Sequence, residues 1–274
     1  MKKPQTLTEY KDWCRESLQV DFDDERTQTR YEINLNNAYF KAINHNFIKT
    51  LNKQLEDWSN EYEIITNSQL LMNQSSLNLV RKPYESAIDK SFRINVLWNK
   101  SFPNEPKKGW VTDKNLYSYF NDTIRGYLVC RFIDGPRFIA EQLTNYAKNL
   151  GLKSRFYSQE RDEGYYAYHF YVTIDMSFVD ESFREFKSEL EIEIQLTTQL
   201  QEVLKSLTHQ FYQTNRLKTN QNDSKWKWEY QTNQFKVSYI SHTLHLLESI
   251  ILEIRDSKIN HQKITKQLGN TSDD

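Results

Sequence analysis

The stretch ELEIEIQLTT, residues 189 to 198, alternates without interruption, with Glu189, Glu191, Glu193 and Gln195 on one side and Leu190, Ile192, Ile194 and Leu196 on the other. A period of two is that of an extended strand, whose successive side chains point to opposite faces. The aliphatic side needs a covering layer, so the chain has to build a sheet with one packed face and one face of carboxylates. Other extended segments surround it: RGYLVCRF (125 to 132), SRFYSQ (154 to 159) and YYAYHFYVTIDM (165 to 176), rich in the residues that favour strands. After the first of these, DGP is a turn, and PRFIAEQLTNYAKNLG reads as a helix that stops at Gly151. A further helix is expected from Gln199 to Tyr212. The order strand, helix, strand, strand, strand, helix implies an α+β fold, a mixed β-sheet of about four to five strands with helices on one face.

The N-terminal part is helical in pattern. Tyr10, Trp13, Cys14 and Leu18, then Phe40, Ile43, Phe47, Leu51, Leu55 and Trp58, recur at three- and four-residue spacing. The spacing predicts two helices, followed by a strand from about Tyr62 to Ser68 and a polar turn, LMNQSSLN. Pro83 then starts a helix with Ser86, Lys90 and Arg93 along one side. NKSFPNEPKKGW, residues 99 to 110, reads as a loop. A closing helix, YISHTLHLLESIILEIRD, leads into a polar tail expected to fray. Expected divisions are therefore a helical region over 1–78, a core over 79–257 and a tail over 258–274.

Partners follow from charge. The formal net charge is -1, which argues against a polybasic coat for nucleic acid or membrane, so any phosphate site has to be a local cluster. Cys14 and Cys130 are far apart and outside metal or redox spacing, as in a reducing compartment. Neither a signal segment nor a run of about 18 apolar residues is visible. A cytoplasmic protein with no membrane partner is expected.

Chemistry-bearing residues gather in a few places. Glu193 lies on the carboxylate face of its strand, and Asp122 precedes another strand, where it is either a turn residue or a magnesium ligand. Arg81, Lys82, Lys90 and Arg93 lie on or beside one short helix, with the sign and spacing to hold a triphosphate. Arg161 precedes GYYAYHFYV, in which Gly164 frees the backbone, Tyr165 offers a stacking ring, and alternation brings His169 back to the same side. Tyr166, Tyr168 and Tyr171 are assigned to packing. His242 and His245 lie three apart on a helix, without a third ligand to make a metal set.

In order, the chain reads KPYESAIDK, ND before a strand, R-x-x-GYYAYH, EIQLTT and LTHQFY. This series, over roughly residues 80 to 213, resembles the synthetase domain of the RelA/SpoT family. Its motifs run as R-x-K-x-x-x-S-x-x-x-K, an Asp before the first strand, K-x-x-G-Y-R-S-x-H, E-x-Q-I-R-T and E-H-x-x-x-Y. The resemblance implies a nucleotidyltransferase-like synthetase fold and an ATP-dependent pyrophosphokinase. Such an enzyme transfers the β,γ-diphosphate of ATP, with Mg²⁺, to a 3′-hydroxyl and makes (p)ppGpp-type alarmones. It places Arg81, Lys82, Ser86, Lys90, Arg93 and Arg161 at ATP, with Asp122 and Glu193 as metal-binding catalytic carboxylates. Tyr165, His169, Gln195 and His209 fall on the acceptor side.

Departures from the family pattern are Val80, Tyr127, Tyr166, Ala167 and Thr197, four of them where the family carries arginine and Ala167 where it carries serine. They leave the acceptor open between GDP or GTP, an adenosine nucleotide and the 3′-CCA end of tRNA. The K-P-Y-E-S-x-x-D-K-x-x-R-x-N form and the H-x-x-H-x-x-E closing helix look like the toxic, single-domain branch, whose members are commonly paired with an antitoxin or immunity protein. Lys107, Lys108 and Lys114 either contact a tRNA backbone or are solvated. The alternatives are a catalytically inactive nucleotide- or RNA-binding module of the same fold and, further behind, an AMP-transferring enzyme, for which no G-S and D-x-D pair is present.

Overall fold

A computed structural model describes residues 3–72, 76–162, 164–216 and 224–269, without the side chains of 208–225 and 260–269. Its helices are α1 (Leu7–Trp13, continued by a π-helical turn Cys14–Leu18), α2 (Glu25–Asn44), α3 (Asn46–Thr66), α4 (Tyr84–Phe92, continued by a π-helical turn Arg93–Leu97), α5 (Gly135–Asn149), α6 (Gln199–Arg216) and α7 (Asn233–Gly269). The strands are β1 (Leu79–Arg81), β2 (Ile124–Cys130), β3 (Ser154–Glu160), β4 (Tyr166–Val179) and β5 (Glu185–Thr198), in the sheet order β1-β2-β5-β4-β3. This is the α+β arrangement expected from the strand and helix order.

Several boundaries differ from the sequence reading. Residues 62 to 66 extend α3 rather than forming a strand, because Tyr62 continues the buried row Leu51, Leu55, Trp58, while Ile64 and Ile65, which suggest a strand, are exposed. The N-terminal region has three helices. His45 is extended (ψ 140) and separates α2 from α3, and its Nδ1 accepts the Phe47 N–H at 3.3 Å. β1 was not expected, since three residues are too few to show a period. α7 runs to Gly269, past the expected end, because the chain from Asn233 to that glycine holds no proline or other glycine to stop it.

The chain divides into two compact units. The first comprises Met1–Lys49, Asn78–Gly126 and Tyr171–Glu193. At its centre the Tyr10 ring stacks on Phe92 at 5.1 Å and Phe22 at 6.1 Å, and its hydroxyl donates to Ser91 Oγ at 2.9 Å. Two buried asparagines act like short pieces of strand. Asn95 donates to the Val111 carbonyl at 2.8 Å and accepts the Val111 N–H at 2.9 Å, tying down the loop that leads to Asp122. Asn34 makes the same pair with Val179, at 3.0 and 2.6 Å. Asn95 also donates to Tyr10 Oη at 2.8 Å. Replacing Asn95 by alanine therefore strands two backbone groups in the interior, and a loss of about 2 kcal/mol is expected in urea unfolding.

The second unit comprises Thr50–Leu77, Tyr127–Phe170 and Ile194–Asp274. Ile139, Ala140, Leu143 and Ala147 form the buried stripe of α5. α7 is anchored through Arg255, which pairs with Asp134 at 2.9 Å and lies over the Phe132 ring at 4.9 Å. Cys14 and Cys130 are free and buried, as packing residues are. Among the described residues no helix is long and apolar enough to cross a membrane.

Candidate active site

In the first unit, the register of β1 against β2 brings a lysine to a carboxylate. The pairs are antiparallel, Leu79 with Gly126, Val80 with Arg125 and Arg81 with Ile124. The ladder runs one residue further, the Lys82 N–H donating to the Thr123 carbonyl at 2.9 Å. Asp122 thus arrives beside Lys82, and Pro83 turns the chain into α4, which carries Lys90. The Nζ atoms of Lys82 and Lys90 bond Asp122 Oδ2 and Oδ1 at 2.8 and 2.7 Å. The Lys90 ammonium also lies 5.0 Å from the centre of the Phe120 ring.

Burial alone would raise the Asp122 pKa, but Lys90 and Lys82 outweigh it and hold the carboxyl at about 2. Its stabilising contribution is present above the unfolded carboxylate value and is lost only as the pH falls through that lower figure. Burial pushes Lys82 below the usual lysine value, against the pull of Asp122. Two ammonium groups share one carboxylate here, so the cluster carries a net positive charge.

Glu193 lies in the interior of β5, five residues before its end, and is only 3% exposed. The Tyr171 hydroxyl donates to its Oε1 at 2.8 Å. Tyr171, assigned to packing from sequence, therefore also orients a carboxylate. The other two basic residues expected at ATP in this unit, Arg93 and Arg81, have different partners. Arg93 pairs with Asp89 at 2.8 Å and lies 5.3 Å over Trp98. Arg81 bonds Asn36 and covers the Tyr39 ring at 5.0 Å. Ser86 is exposed on α4.

In the second unit, a tight turn precedes β4. The Gly164 N–H donates to the Arg161 carbonyl at 2.8 Å and the Arg161 N–H to the Tyr165 carbonyl at 3.1 Å. Gly164 has φ +90, and a Cβ there would fall 2.6 Å from Ser241 Cβ on α7. The Ser241 hydroxyl donates to the Gly164 carbonyl. This turn brings Arg161, Tyr165 and His169 together. Tyr165 Oη lies 3.2 Å from His169 Nε2, the Arg161 guanidinium is 5.6 Å over the Tyr165 ring, and His169 stacks on Tyr157 at 5.8 Å.

Sequence reasoning missed the partners of this turn. Tyr166 stacks on His245 at 3.7 Å with rings 7° apart, and its hydroxyl donates to His242 Nδ1 at 2.6 Å. His242 Nε2 donates to the Asp162 carbonyl at 2.9 Å. Both histidines hold the turn, and no group of three metal-ligating side chains occurs among the described residues. Their spacing of three on one helix was the available signal. The Lys205 ammonium of α6 lies 4.4 Å over the Tyr127 ring. Gln195 is half-buried on β5, and the His209 side chain lies outside the described residues. Of the loop lysines, Lys114 pairs with Glu181 at 2.9 Å on the surface.

No family model matches the chain, and no curated protein matches it in sequence. Solved structures do. The chain is similar to small alarmone synthetase 1 of Bacillus subtilis bound to its product pppGpp, at 17% identity and TM-score 0.44, over 80% of this chain and 96% of that one. It is also similar to a GTP pyrophosphokinase family protein of Streptococcus pneumoniae, at 16% identity and TM-score 0.49, over 85% and 97%. Small alarmone synthetase 2 of Bacillus subtilis is similar at 16% identity and TM-score 0.44, over 85% and 98%.

Proposed function

We propose that the protein transfers the β,γ-diphosphate of ATP to the 3′-hydroxyl of a purine nucleotide or of the tRNA 3′ end. The observation that carries this reading is the Asp122 carboxylate held between Lys82 and Lys90, a compact cationic cluster around one ionised acid. Such a cluster suits a polyphosphate, whose transfer depends on positioning and charge neutralisation more than on covalent chemistry.

In this reading Lys82 and Lys90 turn from Asp122 to the phosphates. The acceptor 3′-oxygen attacks the β-phosphorus, the bond from the β-phosphorus to the α,β-bridging oxygen breaks, and AMP leaves. Glu193, oriented by Tyr171, takes the hydroxyl proton on a carboxylate oxygen. Arg161, Tyr165 and His169 hold the acceptor.

Two carboxylates are a donor set suited to Mg²⁺, which commonly takes one or two protein carboxylates and completes its shell with phosphate and water. Asp122 and Glu193 are the residues that would hold it, and the ion would supply neutralisation of the polyphosphate charge. The protein then acts as a stress-signal synthetase or as a growth-arresting toxin with a neutralising partner.

The test is incubation with Mg²⁺ and γ-labelled ATP against GDP, GTP, ATP alone and total tRNA. Label on one acceptor with release of AMP is expected, reduced about 10²–10³-fold in Glu193→Gln with unchanged melting. Labelled free diphosphate would instead indicate AMP transfer. ATP binding without transfer to any acceptor would indicate the inactive binding module.

A further inference from the structure

Strand β3 lies at the edge of the sheet, bonded to β4 alone. Its alternation sends Phe156 to one face, where it meets Tyr168 at 6.2 Å, and Tyr157 and Gln159 to the other, where the Tyr157 ring runs parallel to that of His169. Gln159 is half-buried, and its amide lies between two residues of the acceptor side. The amide oxygen accepts from the Arg161 guanidinium, 3.2 Å from Nε and 2.9 Å from Nη2, and the amide nitrogen donates to His169 Nε2 at 2.9 Å.

Chemistry leaves this bridge one orientation. A guanidinium only donates, so the amide oxygen has to face Arg161, and the amide nitrogen, itself only a donor, then faces the imidazole. Nε2 is therefore the nitrogen of His169 without a proton. The Tyr165 hydroxyl, 3.2 Å away, can reach that atom only as a donor.

The identity of the bridging group matters as much as its position. Both contacts fall on the Nε–Nη2 edge of the guanidinium, which lies 5.6 Å over the Tyr165 ring. Among the described residues no carboxylate pairs with Arg161, and Asp162, next in the chain, pairs with Lys227 at 3.6 Å instead. An amide holds the guanidinium without cancelling its charge. It leaves the edge formed by Nη1 and Nη2 in the fork geometry that grips a phosphate through two parallel bonds.

We propose that Gln159 is a positioning residue of the acceptor site, which sets the plane of Arg161 toward a phosphate of the acceptor and fixes the tautomer of His169. This rests on the reading that Arg161, Tyr165 and His169 hold the acceptor. Gln159 acts through two other residues, and its neutrality is part of the role.

The experiment joins transfer kinetics to nitrogen NMR of the full chain with isotope-labelled histidine. In the spectrum, read without substrate at mildly alkaline pH, the His169 signals are identified by their loss in His169→Gln. They should show a bare Nε2 and a protonated Nδ1 in the wild type, and a mixture of tautomers in Gln159→Met. The same variant should raise KM for the acceptor about tenfold, the size of one lost charge-assisted bond, at unchanged kcat. KM for ATP should stay constant, which a general loosening of the fold would not allow. Gln159→Glu keeps an oxygen beside Arg161 but cancels its charge, and should raise KM for the acceptor further. A protonated Nε2 in the wild type would overturn the bridge, and a wild-type acceptor KM in either variant would overturn the positioning role. A wild type that transfers to no acceptor would fail the transfer reading instead, and the spectrum alone would then decide whether Gln159 sets the imidazole.

Discussion

Replacing Asp122 by asparagine is expected to cut diphosphate transfer by on the order of 10³-fold and to weaken the fold in the same variant. The side chain keeps its shape but loses the charge that both Lys82 and Lys90 contact. Two largely buried ammonium groups then face each other without a counter-ion, and removal of one partner from such a set costs about 3 kcal/mol. Urea unfolding at neutral pH reads the stability loss, and labelled transfer reads the activity. Adding Lys82→Met should recover much of the stability and none of the activity, which separates the electrostatic role from the chemical one. Wild-type transfer in Asp122→Asn would remove the proposed site.

The second large effect is expected at Gly164. Alanine there has to adopt φ +90 and to place its Cβ 2.6 Å from Ser241 Cβ and 3.0 Å from the Ser238 carbonyl oxygen. Strain and overlap together should cost about 3 kcal/mol. Gly151→Ala is the control, because its φ of +69 is comparable but nothing lies within 4 Å of the added carbon. That variant should lose about 1 kcal/mol. Hydrogen exchange should show the amides of Arg161 and Gly164 opening in Gly164→Ala alone. If the turn carries the acceptor, KM for the acceptor rises while KM for ATP stays constant. Equal effects of the two glycine substitutions would mean that the α7 contact contributes nothing.

The sheet was legible because alternation over ten residues, as in ELEIEIQLTT, has one structural meaning. The end of α3 was misread where two β-branched residues, Ile64 and Ile65, outweighed a helical row that had already run from Leu51 to Trp58. β1 has only three residues and no period to read. At the candidate site, Lys82, Lys90 and Asp122 are separated by up to 40 residues, so their meeting is a matter of strand register that local pattern does not encode. A family motif pointed to it instead. Arg93 pairs with Asp89, the acidic residue four positions earlier, a contact that the helical spacing in the sequence already offered. The α7 contacts of Tyr166 were invisible for the opposite reason, as nothing near Tyr166 in the chain indicates a histidine pair about 80 residues later.

β4 has 14 residues and its outer neighbour β3 has seven, so β4 outruns the strand that covers it. Val179 is its last residue, and there the Asn34 side chain takes both the N–H and the C=O that a further strand would have used. An amide is suited to this because it donates and accepts in one plane. The effect is to withdraw a ready template from other chains at the point where an uncovered strand invites them to add on. Solubility during synthesis, rather than rigidity once folded, is where the loss of that asparagine would register first.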